Sequence, residues 1–427
     1  MADGSFTGIT GNTGWTFTTK ASPPKAGSSR LVVAADGSGD FNTVQGAVDF
    51  IPDKTPNRTT IFIKDGFYEE IVYFRNKTNI TFLGQERDKV IVGYNNYDGF
   101  NPAPAGYTST QLPGTFPYRR ASFMGDNSSG LQFVNMTFQN PSTGGQAESL
   151  LLMGGHNLLS HVVLRGHTDT LQFNDSVYIQ DTFIEGGGDF IWGRGPLFFE
   201  NCSVRGLGGA AFIWARSTNA THGFAFLNCS FDMENPASTG SYIARNPPGY
   251  PYSEVVFLNS KIGKMNPIGW QLGGDTSNVH YWEYNSTNIS DGQPYDVSMR
   301  NPATRQLTKP ADADTIADYS NPAYILGGWS PAMAPILLDQ PASASVPIGQ
   351  MAMLSATVAA IPEATFQWEF NGKPLADGNG VSGATTATLT LSNISSANEG
   401  KYSLVATNPS GSVTSDAATL SIGAGKP

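Results

Sequence analysis

Through most of this chain hydrophobic and polar positions alternate with a period of two, interrupted every few residues by Gly, Asn, Asp, Ser or Pro. That is the pattern of short strands joined by tight turns. A first strand is predicted over 31–34, followed by the turn-rich segment Asp36-Gly37-Ser38-Gly39-Asp40. Residues 41–52 carry the one clear helical spacing: Val44, Ala47, Val48 and Ile51 share a face, and Pro52 ends it. Further strands are predicted at 60–63, 70–73, 80–83 and 90–92.

The middle of the chain repeats itself. Phe133-Val134-Asn135-Met136-Thr137-Phe138 resembles Phe199-Glu200-Asn201-Cys202-Ser203-Val204, and related copies begin at Phe226 and Phe257. A polar residue recurs at 135, 160, 181, 201, 228, 259 and 285, a period of roughly 20 to 30 residues of the kind that marks solenoids. A single coil cannot bury its apolar face, but stacked coils share a continuous core with like residues over like. Stacking at about 4.8 Å would place Asn201 over Asn228 and Cys202 beside Cys229, as a reduced pair rather than a required disulfide. The expected fold is all-β: a right-handed parallel β-helix over 29–335, after an irregular N-terminal extension at 1–28.

Beyond Trp329-Ser330-Pro331 the text changes to strands around Trp368, Asn371-Gly372 and Gly400-Lys401-Tyr402. This resembles an immunoglobulin-like β-sandwich over 336–427, with Trp368 as its core tryptophan and Tyr402 as its tyrosine corner. Ala356 and Leu404 occupy the two usual cysteine positions, so no inter-sheet disulfide is expected.

Composition agrees with a turn-rich β protein: 48 Gly, 11% aromatic and only 14% charged residues. A net charge of −10 argues against nucleic acid as a partner. Two cysteines give neither a disulfide framework nor a zinc knuckle. No apolar run approaches a membrane span, so no membrane partner is expected. No signal-peptide pattern opens the sequence. The chain is expected to act as a monomer, with no metal and no cofactor.

Candidate chemistry rests on carboxylates. His156, His161 and His167 show no ligand spacing, and no Gly-x-Ser-x-Gly or phosphate-binding loop occurs. Asp169 and Asp189, twenty positions apart, fall at the same phase of adjacent coils. Each is either a turn former or an acid tuned by its neighbours. Stacked, they cannot both ionise easily, and a protonated acid beside a charged nucleophile suits ester or glycoside cleavage. Arg245 could keep one of them charged. Phe173, Trp192, Tyr250 and Trp270 are candidates to stack on sugar faces, each weighed against simple core packing.

Several ordered motifs resemble those of the pectin methylesterases: Ala35-Asp36-Gly37-Ser38-Gly39-Asp40-Phe41, Gly66-Phe67-Tyr68-Glu69-Glu70, Gly188-Asp189-Phe190-Ile191-Trp192-Gly193, Trp282-Glu283-Tyr284-Asn285 and Gly328-Trp329. The resemblance implies hydrolysis of galacturonate methyl esters in pectin (homogalacturonan), in a secreted or periplasmic setting. It implies Asp189 as nucleophile, Asp169 as general acid and then base, Arg245 as the group orienting Asp189, and Gln146 as an oxyanion donor. Thr168 stands where the family has a second oxyanion glutamine, and Asn246-Pro247 replaces the Pro-Trp after the arginine. Those departures keep two alternatives open: a carbohydrate-binding β-helix with little or no esterase activity, and an esterase or thioesterase acting on another ester.

Overall fold

The computed structural model describes residues 23–106, 113–115, 119–235, 240–246 and 248–423. Most of the extension expected over 1–28 lies outside the described residues.

From Arg30 onward the chain winds through three parallel sheets of 11, 8 and 9 strands, and between Thr59 and Leu272 it visits each once per coil. One complete coil runs Asn157–Ser160, Val163–Arg165, Leu171–Phe173, and the next begins at Val177. This is the expected parallel β-helix. Inward residues of all three sheets merge into one core, which includes Phe82, Phe133, Phe199, Phe226 and Phe257. Like lies over like, as the repeats predict: Phe199 pairs with Phe226 and Phe226 with Phe257 in register. The Phe199 and Phe226 rings stack at 4.3 Å.

The recurring polar position has a backbone cause. Asn135, Asp181, Asn201, Asn228, Asn259 and Asn285 all adopt φ between 48° and 57°, the left-handed region that Asn and Asp tolerate best. Each turns the chain from the 11-stranded to the 9-stranded sheet. In the coil where Ser160 was expected to hold this position, the left-handed residue is His161 (φ 57°) and Ser160 ends the strand. Side-chain bonds between turns are local: Asn285 donates to Asn259 at 3.0 Å. Cys202 and Cys229 are free and buried, and the Cys202 N–H donates to the Cys229 sulfur at 3.4 Å.

The helix predicted over 41–52 is the shorter Val44–Phe50, α1, with Thr43 as its N-cap accepting from the Gly46 N–H. Its buried Val44, Ala47 and Val48 close the first end of the core. The strand predicted at 70–73 is displaced to Val72–Arg75, because the Glu70 carboxylate accepts the Val44 and Gln45 N–H groups at 2.7 and 3.0 Å. Glu70 is thus an anchor for the helix start rather than a strand residue.

Two short helices near the end of the coil, α2 (Ala313–Tyr319) and α3 (Pro322–Ile325), lie on the outer face of the 11-stranded sheet. Behind them comes the sandwich, whose core holds Trp368 and Leu404, both 0% exposed. The Trp368 indole donates to the Thr386 carbonyl at 2.9 Å, and the Tyr402 hydroxyl to the Asn398 carbonyl at 2.8 Å. Ala356 and Leu404 are buried apolar residues at the positions where a disulfide would sit. The sandwich also meets the β-helix: Met333, Ala359 and Ile361 join α2 and α3 against Tyr178 and Phe198.

Candidate active site

The candidate residues gather on the outer face of the 8-stranded sheet. Strand register sets Met124, Leu151, Gln172, Trp192 and Trp214 side by side across five consecutive coils. The same register brings Arg245 alongside Trp214.

Asp169 and Asp189 occupy the turns that lead into two of these strands. Both are left-handed, at φ 56° and 48°, and a bridge between Thr168 and Gly188 fixes their register. The Asp169 N–H reaches the Gly188 carbonyl at 3.4 Å, and the Asp189 N–H the Ala211 carbonyl at 2.8 Å. The following coil packs tightly here. At Gly209 (φ 89°) a Cβ would lie 2.6 Å from the Gly187 carbonyl oxygen, so only glycine fits.

Arg245 grips Asp189 in a two-pronged ion pair, its Nε donating to Oδ1 at 2.6 Å and its Nη2 to Oδ2. Bonding to Asp189 raises the arginine's pKa. The strand under Arg245 is itself fixed, since the Tyr281 hydroxyl donates to the Arg245 carbonyl and contacts Ser253 Oγ, both at 2.8 Å. The arginine plane lies 4.4 Å from the Trp214 ring centroid. Planar guanidinium and carboxylate match in two bonds, which orients the carboxylate.

Asp169 has no such clamp. Burial first, then the Glu148 and Asp189 carboxylates, push its pKa up to about 8, against the opposing pull of Arg120 and Arg216. The pair is therefore split as acid–base chemistry needs: Asp189 is paired with a cation and Asp169 holds a proton at neutral pH.

Gln146 sits half-buried on the preceding coil. Its segment is held by Ser149, whose N–H donates to the Thr170 carbonyl at 2.8 Å, and by the Asp98 N–H bonded to the Gln146 carbonyl at 3.1 Å. No protein hydrogen bond engages its side-chain amide among the described residues, which leaves its N–H groups available. Thr168 is different. Its hydroxyl donates to the Gly145 carbonyl at 2.7 Å, so that proton is already used. Thr168, at the position where the resembled family has its second oxyanion glutamine, pins the Gln146 loop to the Asp169 turn.

The aromatic candidates divide. Phe173 and Trp270 are 0% exposed in the inward core, and neither can stack on a sugar. Phe173 shares parity with inward Leu171, and Trp270 packs on Phe257 and Tyr281 at 5.6 and 5.0 Å. Trp192 does face outward, yet it is 1% exposed because the Arg216 guanidinium covers its ring at 4.4 Å. It is a platform for that arginine rather than for a sugar. Tyr250 stays half-exposed at the edge of Trp214, 5.9 Å between ring centroids.

Two features were not foreseen from sequence. Arg120 and Glu148 form a buried ion pair, with Arg120 Nε 2.9 Å from both carboxylate oxygens and Nη2 donating to Gln172 at 2.9 Å. Arg216 is 9% exposed and lies 3.6 Å over Trp214 and 5.6 Å from Tyr250. Its side chain has ring contacts but no hydrogen bond or ion pair among the described residues, and its Nε is buried without a partner. The pairing of Arg120 with Glu148 joins residues 28 positions apart without a motif. The aromatic-rich Trp214-Ala215-Arg216 was the only hint of the second.

A separate cavity of about 690 Å³, lined by Arg58, Asn79, His156 and Trp329 among others, contains none of these residues. The carboxylate site lies instead on an open face, as an extended chain would require.

Comparison with known proteins gives this arrangement its context. The pectinesterase family model matches residues 30–325, and the immunoglobulin I-set model matches 335–422. "Probable pectinesterase/pectinesterase inhibitor 42" of Arabidopsis thaliana is 31% identical over 272 residues, covering 60% of this chain and 49% of that protein. "Pectinesterase QRT1" of the same plant is 30% identical over 276 residues, covering 61% and 69%. The chain spans about half the length of several curated relatives it matches. Among solved structures, pectin methylesterase from carrot superposes with a TM-score of 0.58 at 23% identity, over 73% of this chain and 95% of that one. PemA from Erwinia chrysanthemi gives 0.55 at 17%, over 71% and 98%; both comparisons speak for the fold. The chain thus belongs to the pectinesterase family, its β-helix followed by an immunoglobulin I-set domain.

Proposed function

We propose that this protein hydrolyses galacturonate methyl esters in pectin and releases methanol, with Asp189 as nucleophile and Asp169 as acid and base. One observation carries the reading. Two carboxylates in register on adjacent coils are held in different states, Asp189 clamped by Arg245 and Asp169 unclamped with a pKa of about 8.

Asp189 attacks the ester carbonyl, and the carbonyl oxygen takes the developing negative charge near the Gln146 amide. Such a donor is worth about 2.7–4 kcal/mol of barrier. Asp169 gives its proton to the departing methoxy oxygen, and methanol leaves an acyl–Asp189 anhydride. Asp169, now anionic, takes a proton from water as that water attacks the acyl carbon. Asp189 departs as carboxylate, a galacturonate acid is formed, and Asp169 is protonated again.

Arg216 supports an acidic polymer as substrate. It is a buried cation without an anion, facing the groove of a chain whose net charge is −10. A locally basic groove on an acidic protein selects anionic ligands that the rest of the surface repels. A polymer of this size stays outside membranes, which favours a secreted or periplasmic enzyme; cell fractionation finding the mature protein only in the cytoplasm would oppose that.

The test is methanol release from highly esterified pectin between about pH 4 and pH 9, spanning the Asp169 titration. Release that disappears in Asp169→Asn supports the reading, and no release at any pH opposes it. The rival reading, pectin binding without hydrolysis, is favoured by the Thr168 hydroxyl already committed to Gly145. Saturable binding of pectin with no methanol at any pH would establish it. Release of another alcohol, acetate or thiol instead would assign a different ester.

A further inference from the structure

The register that aligns the two aspartates extends one coil further back. Leu150 pairs with Leu171, so Glu148 stands opposite Asp169, as Asp169 does to Asp189 through the Thr168–Gly188 bridge. Three carboxylates are thus stacked on successive coils. The outer two are each locked to an arginine, Glu148 to Arg120 and Asp189 to Arg245. The middle one is not. No group of three acidic, histidine or cysteine side chains among the described residues is arranged to hold a metal.

Resting on the reading of Asp169 as general acid, we propose that Glu148, fixed by Arg120, is a positioning residue whose charge keeps Asp169 protonated before the reaction and makes it a stronger base afterwards. The geometry explains why Glu148 outweighs its own partner. Glu148 is on the coil next to Asp169, whereas Arg120 arrives from one coil further out and spends its Nε and Nη2 on Glu148 and Gln172. Both members are buried, Glu148 at 0% and Arg120 at 2% exposure, so water screens the interaction little. The other charges facing Asp169 are Asp189 in the next turn and Arg216 and Arg245 across the groove, with exposed His167 in its own turn. After Asp169 has released its proton, with Asp189 acylated, it lies beside the fixed Glu148 anion on the neighbouring coil, which favours its taking a proton from water. The pair thereby serves both halves of the cycle.

A merely structural pair would change stability and leave proton affinity alone, so the test reads protonation. The carboxyl stretch of Asp169 is titrated by infrared difference spectroscopy, assigned with Asp169→Asn, alongside the pH profile of methanol release. In Glu148→Gln the Asp169 titration and the alkaline limb of the profile should both move toward acid by roughly one to two pH units. Glu148→Asp, which keeps the anion, should stay near the wild-type position. Should Glu148→Gln fail to fold because Arg120 is left unpaired, the double variant Arg120→Met with Glu148→Gln removes both charges and should still shift in the same sense. An Asp169 titration unmoved in every folded variant that lacks the Glu148 charge would overturn the proposal. A titration that shifts in a protein releasing no methanol would keep this coupling and reject the esterase reading, so the two failures are separable.

Discussion

The outer face of the 11-stranded sheet presents Leu158, Tyr178, Phe198, Ala225 and Val256 in one row, and that of the 8-stranded sheet presents Leu151, Gln172, Trp192, Trp214 and Arg245. Both rows arise from the same stacking of coils. The first is covered by α2, α3 and strands of the sandwich, and becomes a second apolar core. The second is left open, with arginines lying on its indoles and carboxylates at its edge. The two faces treat polar groups differently. On the covered face a buried charge is fully satisfied: Glu254 accepts from His222, His280, Tyr319 and the Gly223 N–H at 2.6–2.9 Å. Burial alone would raise its pKa, yet those bonds bring it down to about 2. On the open face Asp169 is left without a clamp and Arg216 without an anion. Unsatisfied groups there cost stability and are the ones available to a substrate.

Asp169→Asn is the strongest way to break that contrast. It should lower methanol release by roughly 100- to 10,000-fold, the range of a lost general acid. It should also stabilise the fold, because Asp169's folded pKa of about 8 lies above the ordinary aspartate value of 3.8. Between those values only the unfolded chain gives up the proton, so wild-type stability falls as pH rises through this window. The variant's melting temperature should exceed the wild type's near pH 8 and match it near pH 4; equal values at both pH values would refute an elevated Asp169 pKa.

Gln146→Ala should cost roughly 100- to 1,000-fold in kcat with little change in stability, since its amide holds no protein bond. An unchanged kcat would remove it from the oxyanion site. On the covered face the expectation reverses. Phe198, buried and stacked on Tyr178 at 5.9 Å, should cost about 3–5 kcal/mol of unfolding free energy as Phe198→Ala, with kcat preserved in the folded fraction.

The smallest effect sharpens the comparison through pH. Tyr319→Phe removes one bond to a buried carboxylate and should cost about 1.5 kcal/mol. Glu254 has a depressed folded pKa, so its contribution is complete above the ordinary glutamate value of 4.5 and is lost as pH falls toward about 2. Wild-type and Tyr319→Phe denaturation curves should therefore converge in acid. A constant gap down to the lowest pH would assign Tyr319 to packing alone.

What could be read from sequence follows from what each residue needs. The coil was legible because stacked positions must repeat, as Phe133, Phe199, Phe226 and Phe257 do. Asp169, Asp189 and Arg245 were legible because they lie within motifs, and the structure brings them to one face. Phe173 and Trp270 take the core-packing alternative, which sequence left open because an aromatic residue alone does not reveal which side of a strand it takes. Parity with Leu171 held the answer for Phe173. Arg120 with Glu148, and the unpartnered Arg216, were hidden because their environment is made by side chains from several coils. The target of the Thr168 hydroxyl depended on a loop conformation that no spacing encodes.

The central claim is that Asp189, charged and oriented by Arg245, attacks the ester. Its most direct test is the methanol released from highly esterified pectin by wild type and by a folded Asp189→Ala variant. The account predicts sustained release by the wild type and none above background by the variant; turnover that survives the substitution would contradict it.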